Sequence, residues 1–79
     1  MGDTLSDLRT SILAQIPDAQ VVVAPGSGGG HFTISVVSPV FEGKNMVQSQ
    51  RLVYGAIAHL MKGDGAPVHA VDKLTTKVP

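Results

Sequence analysis

The architecture of this chain is best predicted from one short stretch, His31-Phe32-Thr33-Ile34-Ser35-Val36-Val37. Every second side chain from Phe32 to Val36 is apolar and bulky, which is typical of a strand that buries one face. The β-branched run Val21–Val23 lies upstream and predicts a first strand. Between the two lies the flexible segment Pro25–Gly30, rich in glycine. We therefore predict that the two strands pair antiparallel across this glycine loop.

A first helix is predicted before these strands. Its apolar positions recur at helical spacing: Leu5, Leu8, Ile12, Leu13 and Ile16. Asp3 or Thr4 is placed to cap this helix, and Pro17 with Asp18 is expected to stop it.

A second helical segment is predicted after the strands. Pro39 ends the second strand, and residues 42–45 form a turn. The apolar positions that follow again have helical spacing: Met46, Val47, Val53, Tyr54, Ile57, Leu60 and Met61. Gly55 lies within this segment and is expected to mark a bend or a junction of two helices. Residues 62–67 should terminate it, and Val68–Thr75 should form a third strand.

The predicted order of helix, strand, strand, helical segment and strand indicates an α+β fold with a three-stranded mixed sheet. A strand–helix–strand connection within one sheet nearly always joins parallel strands by a right-handed crossover. Parallel second and third strands would place their N-terminal ends at the same end of the sheet. His31 opens the second strand and His69 opens the third, so both should converge there with the glycine loop.

One core is expected between the helices and one face of the sheet. Its predicted members share matching helical or strand periodicity: Leu5, Leu8, Ile12, Ile16, Phe32, Ile34, Val36, Val53, Ile57 and Leu60.

Composition limits the functions that the chain can have. With 79 residues it is expected to form a single domain, residues 1–79. Six basic and six acidic residues give zero formal net charge, so no overall field attracts nucleic acid or anionic membrane. The chain has no cysteine and therefore no thiolate ligand or nucleophile.

The segment Met1–Leu5 lacks the pattern of a signal peptide, and no apolar run reaches membrane-span length. A soluble cytoplasmic protein without membrane association is expected.

Four segments together resemble the BolA family. His31–Ser38 is similar to the family's second strand, and Phe41-Glu42-Gly43-Lys44 to the turn that follows. Arg51-Leu52-Val53-Tyr54 resembles its arginine–x–valine–tyrosine, and Val68-His69-Ala70-Val71 resembles the segment with the family's most characteristic histidine. The resemblance covers roughly residues 5 to 76, nearly the whole chain.

Two local departures bear on what the resemblance implies. Many members carry arginine–histidine–arginine where this chain has Ser49-Gln50-Arg51, which is closer to the acid-stress branch of the family. Many members also place a cysteine or histidine within the first hairpin loop. Here the loop holds neither, which leaves His31 at its far end.

The resemblance implies a fold similar to the second class of KH domain and a partner, a monothiol glutaredoxin. Family members bind this partner with or without a shared [2Fe-2S] cluster. In such a cluster the glutaredoxin cysteine and a glutathione thiolate would supply sulfur, and His69 and His31 would supply nitrogen. The isolated chain would be a monomer without a cofactor, and the complex a heterodimer. Imidazole ligation of a [2Fe-2S] iron has a precedent in Rieske centres.

Other interpretations stay open. From the residues alone, a histidine at the start of a strand is more often structural or merely exposed than a ligand. His59 is most simply a histidine on a helix surface. The KH-like fold also suggests a nucleic-acid-binding regulator of stress response and morphology, with Lys44, Arg51 and Lys62 as phosphate contacts. A third possibility is an interaction domain whose histidines bind nothing.

The sequence offers little support for an enzyme. No serine lies in a Gly-x-Ser-x-Gly elbow, and the acidic residues show no paired spacing. The glycine loop lacks the Gly-Lys-Ser/Thr of a P-loop and is followed by a strand, whereas a phosphate-binding loop needs a helix N-terminus. We therefore expect a non-enzymatic binding module.

Overall fold

Two helices pack against one face of a three-stranded sheet. The computed structural model describes residues 3–79, so Met1 and Gly2 of the predicted N-terminal segment lie outside it. The regular elements are α1 (Thr4–Gln15), β1 (Gln20–Pro25), β2 (His31–Val37), α2 (Met46–Ile57) and β3 (Ala70–Lys77). Short 3₁₀ helices cover Pro39–Phe41 and Ala58–Leu60. No helix among residues 3–79 has the length and apolarity needed to cross a bilayer.

The sheet has the predicted topology. Its strand order is β1-β2-β3; β1 pairs antiparallel with β2, and β2 pairs parallel with β3. Burial in β2 alternates strictly, with Phe32, Ile34 and Val36 buried. The α+β architecture and both strand pairings predicted from the sequence are therefore confirmed.

Helix α1 begins and ends where the sequence indicates. The Asp3 side chain caps it by accepting a hydrogen bond from the Leu5 N–H at 3.1 Å. Leu8 and Ile12 are fully buried, and Ile16 follows as the C-cap residue. Pro17 then removes the next backbone donor, which prevents the helix from continuing.

Helix α2 differs from expectation at its end. Asn45 and Gln48 form a reciprocal capping box at its start. The helix continues through Gly55 without a break, and the junction with the 3₁₀ helix falls after Ile57. The prediction of a bend or junction at Gly55 was wrong in position. Gly55 is exposed and a side chain there would touch nothing, so the residue has no packing reason to interrupt the helix.

The core contains most of the predicted residues and several others. Eight of the ten predicted positions are buried, whereas Leu5 and Leu60 are only partly buried because they lie in terminal helical turns. The buried apolar residues that were not predicted are Val21, Phe41, Ala56 and Val68. Met46 and Val47 are exposed: Met46 belongs to the first turn of α2, and Val47 lies off its buried stripe.

Strand β3 is shifted by two residues from the predicted Val68–Thr75. The Val68 N–H donates to the Leu60 carbonyl, so this residue closes the preceding loop and does not join the ladder. His69 consequently precedes β3, which opens at Ala70. At the other end the ladder extends to Lys77, which pairs with Val37.

Candidate metal-ligand site at the histidine end of the sheet

The glycine loop and the start of β3 are joined by backbone hydrogen bonds. We call this region, formed by Pro25–Gly30, His31 and residues 69–72, the histidine end. The Gly30 carbonyl accepts from the N–H groups of both His69 (2.8 Å) and Ala70 (3.1 Å). Since Gly30 directly precedes His31, these bonds hold the backbones of the two histidines side by side.

His69 lies against the last residue of the glycine loop. A Cβ atom built on Gly30 would be 2.5 Å from Cδ2 of the His69 ring, a separation that real Cβ atoms do not tolerate. Gly30 also has a φ of 75°, in the left-handed region where an L side chain is strained. The His69 residue itself is exposed. Glycine at position 30 therefore permits an exposed imidazole to rest on the loop.

His31 is held by a carboxylate that the sequence analysis did not select. Its Nδ1 atom lies 2.7 Å from Oδ1 of Asp72. The other carboxylate oxygen, Oδ2, accepts from the Ser27 backbone N–H at 2.8 Å. The Ser27 hydrogen bond, followed by that of His31, lowers the pKa of Asp72 from 3.8 to about 2. Because an ionised carboxylate only accepts hydrogen bonds, Nδ1 of His31 is the donor and Nε2 is the remaining ring nitrogen.

A β-bulge places Asp72 at this site. Phe32 pairs with Val71 and Thr33 with Lys73, so Asp72 is the additional residue on β3. Bulges redirect side chains and are frequent beside functional sites. The sequence signal for it is the three-residue spacing of the apolar residues Val71 and Leu74, both of which pack against the core in the structure. A regular strand would place them on opposite faces, so the spacing indicated one inserted residue.

Imidazole nitrogens are the possible metal ligands at the histidine end. It offers the exposed His69 ring and Nε2 of His31, whose side chain is 38% exposed. Among residues 3–79, no group of three or more histidine, cysteine or carboxylate residues could hold a metal ion. Neutral imidazoles suit iron, zinc and copper. Two imidazoles alone do not complete a metal site, so a metal bound here would need further ligands from outside the described residues.

The other residues considered from the sequence lie elsewhere. His59 belongs to the 3₁₀ helix after α2, where its Nε2 atom lies 3.2 Å from Oγ of Ser11 on α1. Lys44 precedes α2, Arg51 lies within it, and Lys62 follows the 3₁₀ helix; all three are exposed. The cations are therefore spread along the helical segment, with Lys44 and Lys62 at opposite ends.

Comparisons with known proteins agree with this architecture. The family model described as BolA-like protein matches residues 8–79. The solved structure of BolA1 from Arabidopsis thaliana is 25% identical, with a TM-score of 0.81 over 100% of this chain and 95% of that chain. A bolA protein homologue from Coxiella burnetii is 32% identical, with a TM-score of 0.74 over 100% of this chain and 94% of that chain.

A third solved structure, a bol-like protein from Babesia bovis, is 28% identical and has a TM-score of 0.80, covering 100% of this chain and 88% of that chain. No curated protein sequence matches significantly. The match of the family model extends from within α1 to beyond the end of β3, and the solved neighbours share the fold over the whole chain. The chain therefore belongs to the BolA family.

Proposed function

We propose that this protein is a non-enzymatic cytoplasmic adaptor that binds a monothiol glutaredoxin and takes part in the binding, transfer or sensing of a [2Fe-2S] cluster. One observation carries the proposal: the exposed residue His69 and the partly exposed side chain of His31 lie at the same end of the sheet in a BolA-family chain without cysteine. Such a chain offers nitrogen ligands and must obtain sulfur from a partner.

The two histidines have distinct roles in this proposal. His69 supplies the principal imidazole because it is exposed and its backbone is fixed to Gly30. His31 supplies the second through Nε2. The glutaredoxin cysteine and a glutathione thiolate supply the sulfur ligands, and imidazole ligation raises the reduction potential of a [2Fe-2S] centre relative to ligation by four thiolates. The proposed protein is thus a partner that completes a cluster or receives one.

The test is to mix the protein with a cluster-loaded monothiol glutaredoxin and glutathione. A stable complex with altered absorption and visible circular dichroism is expected for the wild type. His69→Ala should abolish nitrogen ligation in the electron paramagnetic resonance spectrum. His31→Ala should weaken it less, since the glycine loop allows solvent or another group to substitute.

The chain provides a matched control in His59. His59→Ala removes an exposed imidazole whose Nε2 atom lies beside Oγ of Ser11 on α1, and it should leave the spectra unchanged. A wild-type spectrum from the His69→Ala mixture would remove the central residue of the proposal.

Nucleic-acid binding is the second candidate, and the exposure of Lys44, Arg51 and Lys62 is the observation in its favour. Zero net charge and the separation of these cations along the helical segment weaken it, because affinity for duplex DNA grows with the number of phosphates neutralised together. Weak, strongly salt-dependent binding to labelled duplex at physiological salt is therefore expected. Sub-micromolar, sequence-selective binding that Arg51→Ala reduces would favour a regulator over an adaptor.

A further inference from the structure

We propose that Asp72 is a positioning residue for His31, which fixes the Nδ1–H tautomer of the imidazole and leaves Nε2 as its ligating atom. This inference rests on the proposed function for its purpose. The hydrogen-bonding geometry on which it stands is a property of the isolated chain.

The Asp72 carboxylate is fixed at both of its oxygens. Oδ1 lies 2.7 Å from Nδ1 of His31, and Oδ2 accepts from the Ser27 N–H at 2.8 Å. Asp72 is the additional residue of the bulge between the pairs Phe32–Val71 and Thr33–Lys73 on β3. The carboxylate therefore connects three segments: the glycine loop, the start of β2 and the start of β3.

The glycine loop closes tightly on this carboxylate. A Cβ atom on Gly26 would lie 2.6 Å from Oδ2 of Asp72 and 2.9 Å from the carbonyl carbon of His31. By contrast, side chains at Gly28 and Gly29 would meet nothing within 4 Å. The absence of a side chain at position 26 thus allows Asp72 to reach the loop, which is a second observation independent of the hydrogen bonds.

The consequence for ligation follows from imidazole chemistry. A neutral imidazole carries one N–H, and the nitrogen without it has the lone pair that binds a metal. Since the carboxylate accepts the hydrogen from Nδ1, the lone pair resides on Nε2. Carboxylates that accept from a metal-binding histidine orient the ring and raise its basicity, and losing such a partner weakens binding about 10–100-fold.

The first experiment needs neither partner nor cluster. Long-range ¹⁵N–¹H correlation spectra of the isolated protein above pH 8 should show His31 in the Nδ1–H tautomer. Asp72→Ala should move the ring toward the Nε2–H tautomer, and Asp72→Asn should retain part of the wild-type state because its amide oxygen can accept. Asp64→Ala, an exposed carboxylate in the loop before β3, should change nothing. A wild-type ring in the Nε2–H tautomer, or no change in Asp72→Ala, would overturn the inference.

The second experiment measures whether Asp72 affects the affinity for a cluster-loaded partner. Titration into cluster-loaded glutaredoxin should give a dissociation constant about 10-fold or more higher for Asp72→Ala than for wild type. Far-ultraviolet circular dichroism should show that the variant remains folded. Equal affinity of the two proteins would refute the positioning role. Should the wild type itself fail to form a complex, the proposed function fails, and the tautomer result alone decides whether Asp72 positions His31.

Discussion

A side-chain carboxylate makes a hydrogen bond at each end of β2, and the two hydrogen bonds differ in the exposure of the residue that donates. At the C-terminal end, Ser38 is fully buried, donates to Asp18 at 3.0 Å and accepts from the Val40 N–H at 3.1 Å. At the N-terminal end, His31 and Asp72 form a pair whose side chains are 38% and 28% exposed. At the C-terminal end the serine is buried although its partner Asp18 is exposed, whereas at the N-terminal end both members of the pair are partly exposed.

This difference indicates which end is structural and which is available for chemistry. Buried polar groups must be satisfied within the protein, and at Ser38 each hydrogen bond joins the end of β2 to a neighbouring segment. At the histidine end, an ionised carboxylate orients an imidazole that a partner could still reach. We therefore expect substitution of Ser38 to change folding stability, and substitution of His31 or His69 to change binding.

Ser38→Ala should have the largest effect on stability. It removes the acceptor of the Val40 N–H and the partner of Asp18 in a buried position, which is expected to lower the free energy of unfolding by about 1–3 kcal/mol. Urea unfolding at neutral pH measures this loss. Ser35→Ala, on the partly exposed face of β2, serves as the control and should be nearly neutral. A neutral Ser38→Ala would contradict the structural assignment of this end.

Gly30→Ala should have the next largest effect. A left-handed conformation costs a residue with a side chain roughly 1–2 kcal/mol, and the new methyl group must also displace the His69 ring. Lower stability in urea and shifted ¹H–¹³C resonances of His69 are expected. Gly28→Ala is the matched control, since its side chain would meet nothing within 4 Å. Equal behaviour of the two variants would show that His69 does not rest on the loop.

The fold was largely predictable because its signals are local. The alternation in β2, the spacing of Leu8 and Ile12, and the rule for parallel crossovers were sufficient for the element order and the strand pairings. The end of α2 was predicted less well. The change to a 3₁₀ helix at Ala58 depends on how the chain packs after Ile57, whereas Gly55 is exposed and without contacts.

The candidate site was predicted only in part. The topology placed the starts of β2 and β3 together, as the sequence indicated, and the roles of His31 and His69 stay predictions. Asp72 was overlooked because its position depends on a register shift in the tertiary structure. Within a regular strand it would pair opposite Thr33; the bulge instead brings it to His31.

Acid titration of Asp72 should have the smallest effect on stability, because its side chain is partly exposed to solvent. The Ser27 N–H and then His31 stabilise the carboxylate and lower its pKa from 3.8 to about 2. Unfolding removes both partners, so between these two values the unfolded chain binds the proton more readily than the folded one. The stabilisation is therefore fully present above the ordinary pKa and is lost as the pH falls from about 4 to about 2.

The measurement is urea unfolding of wild type and Asp72→Asn at a series of pH values from 5 to 2. The stability difference between the two proteins should shrink as the pH falls through this window, since the neutral amide has no charge to lose.

A ¹³C titration of the Asp72 carboxyl group provides the direct check. His31→Ala should raise its midpoint only partly toward 3.8, because the larger contribution comes from the Ser27 N–H and is retained. A full return to the ordinary pKa in His31→Ala would mean that the loop does not hold the carboxylate. The glycine loop would then be joined to β3 through the Gly30 carbonyl and not through Asp72.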